Sequence, residues 1–248
     1  MRTSGAGRIR GAAVGVLLLA GCGALTACGQ SPSHPQGHGQ GQGDQAARAD
    51  RTRYPPGIGR WLRDRVPGRA RQVVAVYGES VTSARSTVVL YERQGSGWRR
   101  LRSWPAHNGR RGWTTAHREG DRRSPVGVFT LSDAGGVLPD PGARLPYSAS
   151  SAFTPPSYWP TPKHHDFDYV IAIDYNRVRG TSPLDPRRPL GQSRGGGIWI
   201  HLDHGSGTSA CVSVSRSAMT YLLRTLDPAL HPVVVMGDRR SLAAQPTP

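Results

Sequence analysis

The segment of this 248-residue chain with the densest reactive chemistry is HLDHGSGTSACVSV, residues 201–214. It brings together imidazole, hydroxyl and thiol side chains, with His201 and His204 at its start and Cys211 near its end. A cysteine beside a histidine can act as a nucleophile with its base, whereas histidines with a cysteine can also hold zinc. The same composition suits an ordinary surface loop. The elements around the segment must separate these three interpretations.

Cysteine usage sets Cys211 apart. The chain has three cysteines, and the other two, Cys22 and Cys28, lie in an N-terminal segment typical of export signals. An exported domain with a single thiol forms no internal disulfide. Cys211 is therefore either buried and inert or a thiol kept for chemistry.

The N-terminus predicts export. Residues 1–10 carry three arginines and no acid, and residues 11–20 form an apolar run that is too short to cross a bilayer. Two small-residue boxes follow, ending in Cys22 and Cys28, and both resemble a bacterial lipobox in which the cysteine is lipid-modified. We expect a lipoprotein signal peptide over residues 1–28, cleaved before one of these cysteines, and a lipid anchor. A plain secretory signal is the alternative.

Composition divides the rest of the chain into three parts. Residues 29–53 are rich in Gly, Gln, Pro and Ser and lack aromatic or large aliphatic side chains, which predicts a flexible tether. Residues 54–238 are long enough for one domain with a buried core. The remaining residues, 239–248, are expected to form a disordered tail.

The formal net charge of +16 comes almost entirely from arginine. A basic chain can bind nucleic acid, but these arginines are scattered and form no nucleic-acid-binding motif. Because an exported protein does not meet DNA, we expect no nucleic-acid partner. The expected anionic partners are membrane headgroups and acidic polymers outside the membrane.

Periodicity in the predicted domain indicates a mostly β fold. Short β-branched or aromatic segments bounded by turn residues predict strands at 73–78, 86–94, 98–104, 127–132, 168–175, 197–202 and 232–237. Helical spacing is clear over residues 215–226, where Ser215 can cap the start and Pro228 ends the run. We therefore expect a twisted β-sheet or sandwich with one helix after the cysteine loop.

These elements position the reactive residues. His201 lies at the end of a predicted strand, and Cys211 lies a few residues before the predicted helix that begins near Ser215. A helix N-terminus favours a thiolate and would lower the pKa of Cys211 below its usual value of about 8.5. Successive backbone N–H groups at the cysteine can receive a developing oxyanion. The arrangement thus suits Cys/His nucleophilic catalysis.

The segment IHLDHGSGTSACVSV, residues 200–214, resembles the signature of the L,D-transpeptidase catalytic domain (YkuD-type). Three other segments resemble family elements: HNGRRG at 107–112, GDRRSPVGVFTL at 120–131 and YVIAIDYN at 169–176. The resemblance runs from about Val73 to Asp238. It implies a single all-β catalytic domain.

The resemblance also implies roles for individual residues. Cys211 would be the nucleophile and His201 its base. The backbone N–H groups of Ala210 and Cys211 would form the oxyanion hole, with Ser209 on the loop that shapes it. The family needs no metal or organic cofactor.

The reaction follows from the same resemblance. In this family the thiolate attacks the carbonyl group of the diamino acid at position three of a peptidoglycan stem peptide and expels the terminal D-alanine. A side-chain amine of another stem then resolves the thioester and forms a cross-link. Water as the acceptor would give a carboxypeptidase. Peptidoglycan stem peptides are therefore the expected partners of an exported, membrane-anchored protein that faces the cell wall.

Three departures from the family pattern bear on activity. Ala210 replaces the family glycine before the cysteine, and a positive φ there would strain the loop by about 1 kcal/mol or more. Ser213 stands where many members have arginine, and the spacing from His201 to Cys211 is short. A catalytically weak or inactive peptidoglycan-binding lipoprotein of the same fold is therefore the alternative.

Zinc chemistry is a further alternative. A zinc-dependent wall peptidase would take its ligands from His164, His165, His201, Asp203, His204 and Cys211. On a strand, however, His201 and His204 would point to opposite faces unless the turn has begun.

Two further residues are expected near His201. His204 is either a solvated turn residue or a residue that orients His201. Trp199 lies two positions before His201 on the predicted strand and shares its face. We therefore expect Trp199 in the wall of a cleft.

Overall fold

The computed structural model describes residues 51–245, which form one large β-sheet, a small second sheet and three α-helices. The strands are β1 (Arg51–Thr52), β2 (Gln72–Gly78), β3 (Arg85–Gln94), β4 (Gly97–His107), β5 (Trp113–Thr114), β6 (Ser124–Pro125), β7 (Gly127–Thr130), β8 (Ala134–Gly136), β9 (Tyr147–Ala149), β10 (Val170–Ala172), β11 (Trp199–Leu202), β12 (Val212–Val214) and β13 (Val233–Asp238). The helices are α1 (Arg60–Arg63), α2 (Arg216–Thr225) and α3 (Arg239–Ala243), with 3-10 turns at Ser151–Phe153, Thr161–Lys163, Gln192–Arg194 and Pro228–Leu230. The mostly β fold is confirmed.

The large sheet has eleven strands in the order β7-β13-β2-β3-β4-β12-β11-β10-β8-β9, with β1 paired to β4. Strands β13 and β2 are parallel, as are β11 and β12, and β8 and β9. The remaining neighbours in this sheet are antiparallel. The parallel pair β11–β12 carries the two ends of the reactive segment.

The central strands are buried on both faces, so alternate side chains enter two hydrophobic cores. In β2, Val74 and Val76 belong to the first core, whereas Val73 and Ala75 belong to the second. Helix α2 covers the first core with Ala218, Met219, Leu222 and Leu223. Helices α1 and α3 add Leu62 and Leu242 to the second.

The predicted helix after the cysteine loop is confirmed as α2, with a hydrogen bond from Ala218 N–H to the Ser215 Oγ at its start (3.3 Å). Most predicted strands are found near their expected positions. Three are shorter than expected: β7 ends at Thr130, β10 covers only Val170–Ala172, and β11 begins at Trp199.

The chain ends differ partly from expectation. The predicted signal peptide, residues 1–28, and the predicted tether up to residue 50 lie outside the described residues. The expected tether, residues 29–53, is wrong at its end, where Arg51–Thr52 form strand β1 by pairing with β4. Within residues 51–245, no helix is long and apolar enough to cross a membrane.

The expected disordered tail, residues 239–248, is wrong over its first half, where helix α3 forms. Asp238 caps this helix by accepting hydrogen bonds from the N–H groups of Arg240 and Ser241, both 3.1 Å. Leu242 is fully buried in the second core. Its burial and the Asp238 cap therefore stabilise a segment that was expected to be disordered because it lies at the chain terminus.

Candidate functional site

The pairing of β11 with β12 brings the two ends of the reactive segment together. In this parallel pair, Ile200 lies opposite Val212 and His201 lies opposite Ser213. Trp199 and Cys211 each lie one residue before this first pair. The backbone N–H of Trp199 donates a hydrogen bond to Cys211 Sγ (3.4 Å). His201 and Cys211 both line the same cleft beside these strands.

The cleft has a volume of about 640 Å³. Its wall is rich in aromatic and proline side chains, including Trp159, Pro160, Phe167, Pro183, Pro186 and Trp199. Phe167 packs edge-on against both Trp199 and His201, with ring centroids 5.1 and 5.3 Å apart. Trp199, two positions before His201 on β11, lies in the wall of this cleft. Arg110, Lys163 and Arg188 give the cleft a positive rim that suits an anionic ligand.

Cys211 is half-buried, and its thiol is hydrogen-bonded to two backbone groups. Its Sγ donates to the Gly197 carbonyl (3.6 Å) and accepts from the Trp199 N–H. Burial raises the pKa of Cys211 to about 11, the Trp199 N–H opposes that shift, and the Asp166 carboxylate adds to it. The thiol is therefore protonated at neutral pH.

This result corrects the expectation that a helix N-terminus lowers the pKa of Cys211. Strand β12 separates the cysteine from helix α2, which begins only at Arg216. The influence of a helix dipole fades beyond the first turn. The helix therefore does not offset the burial of the sulfur.

His201 is a neutral imidazole with one nitrogen free for chemistry. Its side chain is buried, and Nδ1 donates to the Leu202 carbonyl (2.8 Å), which leaves the Nε2 lone pair free. Burial lowers the pKa of His201, and the nearby Asp166 carboxylate opposes this shift.

Buried hydroxyl groups fix the loop before Cys211. Ser124 Oγ accepts from the Gly109 N–H (2.9 Å) and donates to the Ala210 carbonyl (2.6 Å). Thr208 Oγ1 donates to the Cys211 carbonyl (2.7 Å). Through Gly109 and Ser124, these contacts connect the family-like segments 107–112 and 120–131 to the cysteine segment. The sequence did not reveal the role of Ser124.

His204 is not a solvated turn residue. Its side chain is only 4% exposed, and Nδ1 lies 3.0 Å from Asp166 Oδ2. Because the strand ends at Leu202 and a turn begins, the rings of His201 and His204 are nearly parallel, 9° apart with centroids at 6.4 Å. Asp166, which lies 38 positions away from His204, was not singled out as its partner from the sequence.

Residues 79–235 match the family model of YkuD, the L,D-transpeptidase catalytic domain. The chain belongs to this family. The chain is also similar to a solved structure, that of Bdellovibrio bacteriovorus Bd1075, at 17% identity with a TM-score of 0.38. The similarity covers 67% of this chain and 48% of the other, so this chain spans about half the length of that protein. No curated protein matches the chain.

Ala210, which replaces the YkuD glycine, does not have a positive φ, so the backbone strain considered for this position is absent. Within residues 51–245, the non-glycine residues with positive φ are Arg122, Asn176 and His231. Ala210 packs against the first core, while Ser209 is exposed and lines the cleft. Alanine therefore fits this position of the loop.

Ser213, at the position of the YkuD arginine, belongs to a polar network. It is fully buried, and its Oγ donates to Asp203 Oδ1 (2.7 Å), which also accepts from His107 Nδ1 (2.8 Å). Burial alone would raise the pKa of Asp203, but the hydrogen bonds from Ser213 and His107 outweigh it and lower the pKa. The sequence had offered Asp203 only as a zinc ligand and had not identified His107.

The residues considered as zinc ligands do not form a metal-binding group in the described part of the chain, although His201, His204 and Cys211 line one cleft. Within the described residues, no group of three or more His, Cys, Asp or Glu side chains could hold a metal ion. His164 hydrogen-bonds the Trp159 carbonyl (2.7 Å), and His165 faces Asp168 (3.2 Å). The zinc-peptidase alternative therefore lacks a ligand set there.

Proposed function

We propose that this YkuD-family protein is a cysteine-dependent L,D-transpeptidase that acts on peptidoglycan stem peptides. The observation that carries the proposal is that the Cys211 thiol and His201, whose Nε2 is free, line the same cleft. The loop between them is held by buried hydroxyl groups, as a preorganised acyl-transfer site requires.

The first half-reaction uses both residues. His201 Nε2 takes the thiol proton, and the Cys211 sulfur attacks the carbonyl carbon of the third residue of the stem. The tetrahedral oxyanion faces the backbone N–H groups of Ala210 and Cys211. The nearby Asp166 carboxylate favours the imidazolium, which then gives its proton to the leaving amine of the terminal D-alanine.

The second half-reaction releases the acyl group from sulfur. A side-chain amine of another stem attacks the thioester and forms the cross-link, or water attacks and gives a shortened stem. The positive rim formed by Arg110, Lys163 and Arg188 supports a substrate with free carboxylates.

A peptidoglycan-binding protein without turnover is the second candidate. The raised pKa of Cys211 and the hydrogen bond from its thiol to the Gly197 carbonyl favour this alternative, because a protonated thiol is a poor nucleophile. The same cleft would then hold stem peptides without cleaving them.

We also propose that the protein is exported and held on the outer face of the cell membrane by a lipid on Cys22 or Cys28. The lipobox-like segments at these cysteines support this location. The net charge of +16 supports contact with anionic headgroups and wall polymers.

The decisive experiment treats the purified full chain with a carbapenem and weighs the intact protein. We expect an adduct of one drug molecule that is absent from Cys211→Ala. His201→Ala should form it about 100-fold more slowly, as expected for loss of a general base. Thermal melting of each variant shows that the fold is kept. No adduct on the folded parent protein would favour the binding role instead.

A further inference from the structure

The cleft contains a second histidine whose arrangement the proposed acylation does not use. His204 and Asp166 are each 4% exposed in their side chains and form a buried pair. Since a carboxylate accepts hydrogen bonds, Nδ1 of His204 carries the proton and Nε2 carries the lone pair. This Nε2 is buried without a hydrogen-bond partner, although His204 lines the cleft. A buried polar atom of this kind calls for a partner, which a ligand in the cleft can supply.

The Nδ1 atoms of the two cleft histidines are bonded to different kinds of acceptor. His201 Nδ1 is bonded to a neutral backbone carbonyl, whereas His204 Nδ1 is bonded to a carboxylate. A carboxylate stabilises the positive imidazolium far better than a carbonyl group does. Asp166 is therefore positioned to bind the Nδ1–H of His204 while Nε2 faces a ligand.

We propose that Asp166 and His204 form a second acid–base pair, which removes a proton from the acceptor that resolves the acyl-enzyme. This inference rests on the proposed function. The nearly parallel rings of His201 and His204, with centroids 6.4 Å apart, place both imidazoles at one cleft. One histidine then serves the cysteine and the leaving group, and the other serves the acceptor.

The step balances as follows. An amine acceptor first loses the extra proton of its ammonium form to solvent. The nitrogen of the free amine, or the oxygen of water, then forms a bond to the thioester carbonyl carbon while one proton of the acceptor passes to His204 Nε2. The tetrahedral intermediate collapses, the C–S bond breaks, and the electron pair returns to Cys211 as a thiolate. The proton held by the Asp166–His204 pair then leaves to solvent, and the thiolate is reprotonated.

The experiment separates the two half-reactions in the full chain. The acyl donor is a stem tetrapeptide that ends in D-alanine, and the acceptor is a stem tripeptide with a free side-chain amine. Rapid quenching followed by mass spectrometry measures the formation and decay of the acyl-enzyme. In His204→Gln we expect formation to stay within about twofold of the parent and decay to slow about 100-fold, the typical contribution of a general base.

A second acceptor tests the proton-transfer role directly. Hydroxylamine is unprotonated at neutral pH and attacks thioesters without needing a strong base. We expect it to restore the decay rate of His204→Gln to within about threefold of the parent. A variant with only a disturbed cleft would remain slow with both acceptors.

Two companion variants complete the design. Asp166→Asn keeps a hydrogen-bond acceptor for His204 but removes the charge, so decay should slow about tenfold. Because the Asp166 carboxylate also favours the His201 imidazolium, formation should slow in this variant too. Restoration of its decay rate by hydroxylamine therefore carries the test if His204→Gln does not fold. His165→Gln is the matched control, because His165 also faces a carboxylate, that of Asp168, but its side chain is 77% exposed and lies outside the cleft lining. We expect parental rates from it.

The outcomes are distinguishable. Equal slowing of formation and decay in His204→Gln, or failure of hydroxylamine to restore decay, would overturn the acid–base role in favour of a positioning role. An unchanged decay rate would overturn it as well. If the parent protein forms no acyl-enzyme, the proposed function itself fails, and this inference fails with it.

Discussion

Burial sets the protonation of the two central side chains of the site. It raises the pKa of Cys211 to about 11 and lowers the pKa of His201, so both groups are neutral at neutral pH in the free protein. The pair is therefore a thiol and an imidazole rather than a thiolate and an imidazolium. Proton transfer between them has to accompany attack on the substrate, and preorganised N–H groups must stabilise the charge that develops.

This protonation predicts the pH dependence of thiol alkylation. Only the thiolate reacts with iodoacetamide, and below the pKa its fraction rises about tenfold for each pH unit. We expect the alkylation rate of Cys211, followed by peptide mass mapping, to rise from neutral pH to at least about pH 10 without a plateau. A free cysteine levels off above its pKa of about 8.5 and is the reference. A plateau near neutral pH would show an activated thiolate instead.

At the scale of single residues, the sequence identified candidate site residues but not their hydrogen-bond partners. Strand alternation and the family resemblance both relate residues that are close together in the sequence. They could therefore single out His201, Cys211 and Trp199 as candidate site residues. The pairing of His204 with Asp166 spans 38 positions between two irregular segments, and no periodicity relates them. The expected effect of helix α2 on Cys211 failed because a three-residue strand lies between them.

At the scale of elements, the loop before Cys211 depends on strands that are distant in the chain. Ser124, at the start of β6, is fully buried and connects the Gly109 N–H to the Ala210 carbonyl. Thr208 adds the bond to the Cys211 carbonyl. The peptide groups around the cysteine are thus oriented by one hydrogen bond within the loop and by the Ser124 hydroxyl, which comes from a distant part of the chain.

Removing the Ser124 hydroxyl tests this dependence. Ser124→Ala leaves a buried N–H group and a buried carbonyl without their partner, so we expect a loss of about 1–3 kcal/mol in the free energy of unfolding. Urea denaturation measures this loss, and carbapenem acylation should also slow. Ser96→Ala, at an exposed turn, is the matched control and should leave both quantities unchanged. Unaltered stability and acylation in Ser124→Ala would show that other contacts hold the loop.

The elements themselves were predictable where their pattern was long enough. The strands β2, β3 and β13 have runs of β-branched residues, β4 has spaced Trp and Leu residues, and α2 has a clear apolar stripe. Strands β5, β6, β8 and β9 have two or three residues each, too few to show alternation. Helix α3 was missed because its formation depends on the burial of Leu242 in a core built by other elements.

At the scale of the whole molecule, the proposed site and the proposed location support each other. A positive cleft rim lies on a chain with a net charge of +16, and both suit an anionic polymer outside the membrane. The part of the predicted tether that precedes β1, residues 29–50, would let a domain reach roughly 23–28 Å from its anchor on average, by the scaling of a flexible chain. An anchored enzyme of this design would act on the wall layer nearest the membrane.

The anchor is tested by expressing the full chain in bacteria with a labelled fatty acid. We expect the parent protein to carry the label and to enter the detergent phase, because two acyl chains hold a protein at a membrane far more stably than one. One of Cys22→Ala and Cys28→Ala should lose the label, and that result identifies the modified cysteine. Cys211→Ala controls for thiol loss elsewhere and should keep it. Label that persists when both N-terminal cysteines are replaced, or a parent protein without label that is secreted, would overturn the lipoprotein assignment and favour a plain export signal.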